Sequence, residues 1–525
     1  MNTYNRKFLA ADLEVLRNKG FEYFKKSETW PVKEEEFHKF YDLVRGLYSR
    51  IINGVSDTIF YDIALVEITF VNQLINIFHY NYVCKYCNMK NIELIVGSRS
   101  NIYLNPEWQI MSEYYSNLVD SYDKKTGFIR NKAKNIVFNK HLPISDLIRG
   151  FFTNASIVGI GSNDRIKQEY IVNNKIFCDN RDGHEFIKNA VYLFSKNESN
   201  FKKDKVQNIF YKKIIKPFIV ELKSSELMFV KEVDFDIIEN VWSKRFIDAY
   251  KIYKGLLLIN NPKSLLVTEV GKPYSKIITL AFQSKGSKVF NFHHGNDSAL
   301  ANQHWMYESL FGHCDNYVLD TEVMRKRFKE LDSSSIKKIN FISTNSGYYS
   351  TLRKSIRHNS CKNILLIGYP MGLARYPDDS YLFFNYRIKL EYTLSSMLKS
   401  CGYLLDYKAH PDRLKEIESV MSNVSNEIIE KPFEEVWQDA DVLIFTYVPT
   451  TTFCFALNLP IPIVLIEIQG TPWYKNMRKS LEERVAIVKA NITDGEISVD
   501  KNDLINAISI SKNRVNLSVA EGITG

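Results

Sequence analysis

An α/β fold on parallel sheets is what this sequence predicts, and three observations carry it. Short β-rich apolar runs alternate with helix-patterned stretches over the later two thirds of the chain. Several of these runs stop at a polar tip, as at Lys408-Ala409-His410-Pro411 and at Thr446-Tyr447 followed by Thr450-Thr451-Thr452. The runs fall into two series, separated by a polar stretch over 345–362 that reads as an interdomain linker. Strand and helix in this alternation make two Rossmann-like halves. The expected division is a mainly helical region over 1–90, a first half over 91–350 and a second half over 351–525.

The helical region rests on apolar spacing. Leu13, Leu16, Phe21 and Phe24 recur at helical intervals, as do Phe37, Phe40, Tyr41, Val44 and Tyr48. Asn53-Gly54 breaks the pattern, and Asp57 is placed to cap the next helix. Ile92–Val96, stopped by Gly97-Ser98, reads as the first strand of the α/β unit. Residues 98–150 have weak periodicity. Ser156–Gly161 is strand-like and runs into a Gly-x-Gly turn. The Lys-rich stretch 196–216 reads as a solvated helix face, or else as a contact for an anionic acceptor or membrane surface.

The first half continues with a strand at Leu265–Thr268, a helix at Pro273–Gln283, a strand at Lys288–Phe292 and a strand at Asn316–Leu319. Asp320 or Thr321 is expected to cap the helix that runs to about Leu331. The second half opens with Ile364–Ile367 and a loop beginning at Gly368. A helix over Phe384–Leu398 follows, then strands at Tyr403–Tyr407, Val442–Phe445 and Ile461–Ile466. A last helix is expected over 502–511, with Ser518–Gly525 frayed.

Composition narrows the class. The 525 residues suffice for two or three domains. A net charge of +9 is a mild excess that suits an anionic substrate or membrane surface and does not demand nucleic acid. Seven scattered cysteines fit reduced thiols in a cytoplasm. The amino terminus is an amphipathic, charged helix rather than a signal peptide, and the apolar window Ile59–Phe78 is interrupted by Asp62 and Glu67. The expectation is a soluble cytoplasmic protein, or one peripheral to the inner face of the cytoplasmic membrane. Cys84-x-x-Cys87 with His79 supplies three ligands and no second pair, so no metal site is expected there. Gly159-x-Gly161 lacks a third glycine and is a weak dinucleotide signal.

In a doubly wound sheet, ligands bind beyond the carboxyl ends of the strands. The polar tips of the second half lie at those ends. Lys408 and His410 can donate to a phosphate, and Thr450, Thr451 and Thr452 can meet the same group through hydroxyls and amides. Lys-x-His-Pro, then the Ala440-Asp441 strand, then the threonine turn resembles the donor-binding half of GT-B glycosyltransferases. It is most similar to those using CMP- or CDP-activated donors: His-Pro sialyltransferases, capsule Kdo transferases and CDP-glycerol polymerases. The likeness covers roughly the last third of the chain plus one upstream loop. In those families the His-Pro histidine and the hydroxyl turn contact the nucleotide phosphate. The resemblance implies that Lys408, His410, Pro411, Thr450, Thr451 and Thr452, with Gly368 beside them, bind the donor. Those families often show Asp-Tyr-Ser-Ser where this chain has Thr446-Tyr447-Val448-Pro449-Thr450, which changes the hydroxyl register. Glu467, after a strand, is a candidate for a ribose hydroxyl.

The loop Phe292-His293-His294-Gly295 is similar to the Gln-His-Gly loop of CDP-glycerol and capsule transferases, and His294 matches its histidine. His294 is a candidate general base, Glu269 a second and Asp297 a third. Lys272 and Arg375 could pair with a carboxylate on the sugar. The resemblance implies a GT-B fold with two Rossmann-like domains facing a cleft. It implies metal-independent transfer, without a cofactor, of an acidic ulosonic-type sugar from a CMP donor to a surface polysaccharide or glycolipid. Polyol-phosphate transfer from CDP-glycerol or CDP-ribitol, or a non-catalytic role in carbohydrate assembly, stays open.

Overall fold

A computed structural model of the chain describes residues 7–10, 13–95, 139–143, 156–161, 164–198, 201–225, 227–231, 233–268, 270–271, 273–294, 300, 306–332, 337–355, 363–369, 381–410, 414–448, 450–468, 471, 473–493 and 496–525. The strands, in chain order, are β1 (Phe8–Ala10), β2 (Glu93–Ile95), β3 (Ile157–Ile160), β4 (Asp179–Arg181), β5 (Ser264–Thr268), β6 (Lys288–Phe292), β7 (Asn316–Leu319) and β8 (Asn340–Ser343). They continue with β9 (Asn363–Ile367), β10 (Leu404–Lys408), β11 (Glu427–Ile429), β12 (Val442–Phe445), β13 (Ile463–Ile468), β14 (Ala486–Thr493) and β15 (Glu496–Ser498).

Two large sheets result. The first runs in the order β4-β3-β5-β6-β7-β8 and is parallel throughout. The second runs β11-β10-β9-β12-β13-β14-β15 and is parallel except for β15. The α/β class with two Rossmann-like halves is therefore the fold observed. Both sheets are covered on both faces, which is why their strands read as unbroken apolar runs. In the second sheet Leu366, Tyr407, Ile444 and Val464 face one core, while Leu365, Leu443, Phe445 and Leu465 face the other. In the first, Leu265, Val267 and Val289 face one side, and Leu266, Phe292 and Val318 the other.

Each sheet has a point where successive crossovers leave in opposite directions. In the first sheet it lies between β3 and β5, and in the second between β9 and β12. Such reversals open a crevice at the carboxyl edge of the strands.

Several expectations are corrected. Ile92–Val96 does not start the α/β sheet: β2 pairs instead with β1 in a separate two-stranded sheet. Those two strands join segments far apart in sequence, a contact that periodicity cannot show. Within the 345–362 stretch, Tyr348–Arg353 is a helix. The chain end is not frayed: Leu517–Thr524 is a helix with Ala520, Ile523 and Thr524 buried. It packs on the helices Glu322–Leu331 and Tyr348–Arg353 and on the second-half helix Thr451–Leu457. Arg327 donates to the carbonyls of Ile523 and Gly522, and Arg353 to that of Gly525, which satisfies carbonyls that a helix end leaves over. The amino-terminal stretch read as one helix holds the strand Phe8–Ala10 ahead of the helix Leu13–Lys19, and the strands β1, β4, β8, β11, β14 and β15 were not expected.

Most of the helical region packs onto the first half, while its first helix, Leu13–Lys19, packs against Leu414–Met421 of the second and the Phe21 ring stacks on Tyr392. A buried Arg245–Glu67 ion pair and a Tyr253–Asp62 hydrogen bond join its helices to Phe235–Leu257. Among the described residues no single helix is long and apolar enough to cross a membrane. The pair Thr58–Val66 and Ile68–Met89, bent by 42°, passes together, but much of it lies in the core. The Lys-rich stretch forms the helix Lys203–Phe210, a π-turn over Tyr211–Ile215 and the helix Lys216–Ser224, with its lysines exposed.

Candidate active site

At the second sheet's switch point, register sets the geometry. Lys408, Ile367 and Phe445 stand in one row across β10, β9 and β12. The next residues on each strand, Ala409, Gly368 and Thr446, form the carboxyl edge. With about 4.8 Å between strands, the His410 and Thr446 segments flank Gly368 within about 10 Å of one another. The structure thus places Lys408, His410, Gly368 and the threonine turn on one edge, with Pro411 outside the described residues.

Local chemistry sets each group. Thr450 caps the helix Thr451–Leu457, its Oγ1 accepting from the Thr452 amide at 3.3 Å. Lys408 is buried, and its Nζ donates to the Ala409 carbonyl at 2.6 Å. Burial lowers its pKa, against the pull of Glu434 and Glu430. An ammonium has three donors, so others are left for an anion. Thr446 is buried and its Oγ1 has no hydrogen-bond partner among the described residues. A buried hydroxyl left unsatisfied costs about 1–3 kcal/mol, which an oxygen-rich ligand at this edge would relieve.

Behind this edge lies a network the sequence did not disclose. The Glu391 carboxylate accepts from the Tyr369 amide and from the Tyr407 hydroxyl, both at 2.7 Å. The Arg387 guanidinium lies 5.0 Å from the Tyr369 ring and 5.6 Å from the Tyr447 ring, two tyrosines that meet edge to face. Glu467 is not at the switch point. Its carboxylate is engaged by Arg478, at 2.9 and 3.0 Å, and by the Trp473 indole at 2.5 Å.

The first sheet carries the other candidate group. His294 follows β6, and its Nδ1 lies 2.6 Å from Oδ2 of Asp164, which follows β3. A carboxylate only accepts, so Nδ1 carries the proton. His294 is exposed, as a group meeting a substrate must be, and Asp164 is half-buried. Asp164 is the N-cap residue of the helix Arg165–Asn173 and has the extended backbone of one, yet its side chain makes no cap bond. Capping by Asp contributes about 1 kcal/mol, and here that is given up to hold an imidazole. Gly161 makes the preceding turn possible, with φ of 85° and the Thr268 carbonyl close by.

Sequence reasoning named His294 and missed Asp164. The available signal was an Asp just ahead of a helix at a strand end. It also took Asp320 or Thr321 as a cap. Thr321 is the cap, and Asp320 is bound to Arg165. Glu269, Asp297, Lys272 and Arg375 lie outside the described residues. His79 accepts from the Trp30 indole at 3.0 Å, and burial lowers its pKa to about 3, so it is a neutral core group. No cluster of three or more metal-ligating side chains occurs among the described residues.

No family model and no curated protein matches the chain. Among solved structures it is similar to Acinetobacter baumannii MurG, at 11% identity over 53% of this chain and 74% of that one, with a TM-score of 0.32. Methanocaldococcus jannaschii UDP-GlcNAc 2-epimerase, in complex with UDP-GlcNAc and UDP, is similar at 12% identity over 70% and 97%, with a TM-score of 0.34. The spinosyn rhamnosyltransferase SpnG is similar at 11% over 70% and 96%, with a TM-score of 0.30. TM-scores this low carry no argument, and the reading of the site rests on its own strands and side chains.

Proposed function

We propose that the chain is a GT-B glycosyltransferase that moves a sugar from a nucleotide donor to a saccharide or glycolipid acceptor. The favoured donor is a CMP-activated acidic sugar. The observation that carries this reading is the His294–Asp164 pair at the carboxyl edge of one Rossmann-like sheet, in a chain whose second such sheet gathers Lys408, His410 and hydroxyls at its switch point.

The chemistry has three parts. Nε2 of His294 takes the proton of the acceptor hydroxyl as the new glycosidic bond forms. Asp164 fixes the tautomer and stabilises the imidazolium that results. Lys408, His410 and Thr450–Thr452 meet the charge that develops on the leaving phosphate, without a metal. The acceptor is a surface polysaccharide or lipid-linked glycan, and the exposed lysines of 202–216 suit the anionic membrane where such acceptors are held.

The test is nucleotide binding followed by product analysis. Melting temperature is followed with CMP, CDP, UDP and GDP for the full chain and for His410→Ala. The expected result is stabilisation by the cytidine nucleotides, lost in the variant. No shift with any nucleotide would sink the proposal. If the product mass shows phosphate retained on the acceptor, the reaction is polyol-phosphate transfer instead.

A further inference from the structure

Arg165, the residue after Asp164, grips the neighbouring strand tip. Its guanidinium makes an ion pair with Asp320, which follows β7. It also donates to Glu169 Oε1 at 3.0 Å and to Ser346 Oγ at 3.1 Å, and its Cζ lies 3.8 Å from the centre of the Tyr348 ring. Asp320 is wholly buried. One of its oxygens is taken by Arg165, and the other has no hydrogen-bond partner among the described residues. Burial pushes its carboxyl up to about 6, while Arg165 pulls it back. Asp320 lies wholly inside while the Arg165 side chain is partly exposed; a carboxylate buried this way recovers its desolvation cost only in part from such a partner, so stability alone is a poor reason for it.

Its position suggests the reason. Phe292 pairs with Val318, and the His293 amide bonds to the Val318 carbonyl at 2.9 Å. His294 and Asp320 therefore stand at the same height on adjacent strand tips. Two consecutive residues of one turn hold these two tips, Asp164 on β6 and Arg165 on β7. An N-cap Asp ordinarily turns its side chain to the amides of its own helix; that of Asp164 makes no such bond and is turned to Nδ1 of His294.

We propose that Arg165 and Asp320 are positioning residues, which clamp this turn so that Asp164 stays on His294 rather than capping its helix. The proposal rests on His294 being the base of the proposed reaction, but its test needs no turnover. The full chain is labelled with 15N in its histidines, and ring nitrogens are correlated with ring carbon-bound protons. His294→Gln assigns the signal. The wild type is expected to show His294 in a single Nδ1-protonated tautomer, and Asp164→Asn to lose it. The decisive variant carries Arg165→Met with Asp320→Leu, which removes both charges and strands neither. Loss of the single tautomer in a folded protein supports the clamp, and an unchanged signal overturns it. If the double variant does not fold, Tyr348→Leu, which takes away the ring against the guanidinium, is read the same way. A lost tautomer together with no turnover of any nucleotide sugar leaves the clamp standing and removes the transferase reading alone.

Discussion

The hydroxyl of Tyr407 fills the space that a side chain at Gly368 would need. A Cβ there would overlap the Tyr407 ring and its oxygen and crowd the Lys408 carbonyl. Position 368 is thus glycine for a packing reason, at the point where a donor phosphate would also approach. Tyr407 cannot yield, because its hydroxyl is bonded to buried Glu391, which also holds the Tyr369 amide. Gly368→Ala is expected to destabilise the protein by about 2 kcal/mol, by overpacking, and to weaken nucleotide binding. Urea unfolding checks this against Gly46→Ala, on an exposed helix face with nothing close by, which is expected to be neutral or slightly stabilising. Equal effects at the two positions would refute it.

Thr446 separates stability from binding. Valine keeps its shape and removes the orphaned hydroxyl. Thr446→Val is expected to leave stability unchanged or raise it by up to ~1 kcal/mol, and to weaken cytidine-nucleotide binding about tenfold. Calorimetric titration beside a melting curve gives both quantities. Unaltered affinity would show that the hydroxyl does not meet the nucleotide.

On the proposed reaction, His294 and Asp164 are expected to affect rate rather than donor affinity. His294→Ala and Asp164→Asn should each lower transfer by about 10²–10⁴-fold with nucleotide binding intact. The double variant should be little worse than the single ones, since the two groups act as a unit. Additive losses would mean that the residues act separately.

Asp62 supplies a pH test of the core. Its folded pKa is raised by burial to about 6, partly offset by the Tyr253 hydroxyl and Lys337, while the unfolded value is 3.8. The folded state therefore holds this proton longer, and the contribution of Asp62 to stability falls as pH rises from about 4 to about 6, by at most ~3 kcal/mol. Asn keeps an acceptor for Tyr253 and has no charge to bury. Asp62→Asn should be close to neutral at pH 4 and clearly stabilising at pH 7.5 in urea titrations. A difference independent of pH would rule out this account.

Local elements were largely legible. Lys288–Phe292, Asn316–Leu319 and Val442–Phe445 stand where the apolar runs placed them, and Asp57 caps the helix from Thr58 through the Ile59 and Phe60 amides. β4 and β11 escaped because three residues are too few for a period to declare itself, and because Asp179–Arg181 is polar; β8, Asn340–Ser343, escaped because only Phe341 and Ile342 in it are apolar. β14 escaped although it is longer. The chain end was misread because exposure cannot be judged without the helices that Leu517–Thr524 docks on.

The sequence by itself determined the central strands of the two parallel sheets, and that polar tips follow them, since both depend only on neighbouring residues. It brought His294, Lys408 and His410 to notice as residue types at strand ends. Only the tertiary structure decided what each tip meets. Asp164 and His294 are 130 positions apart, as separate in the sequence as unrelated residues. They come together because β3 and β6 belong to one parallel sheet with only β5 between them. A contact of this kind is created by strand order and register, and no local pattern records it.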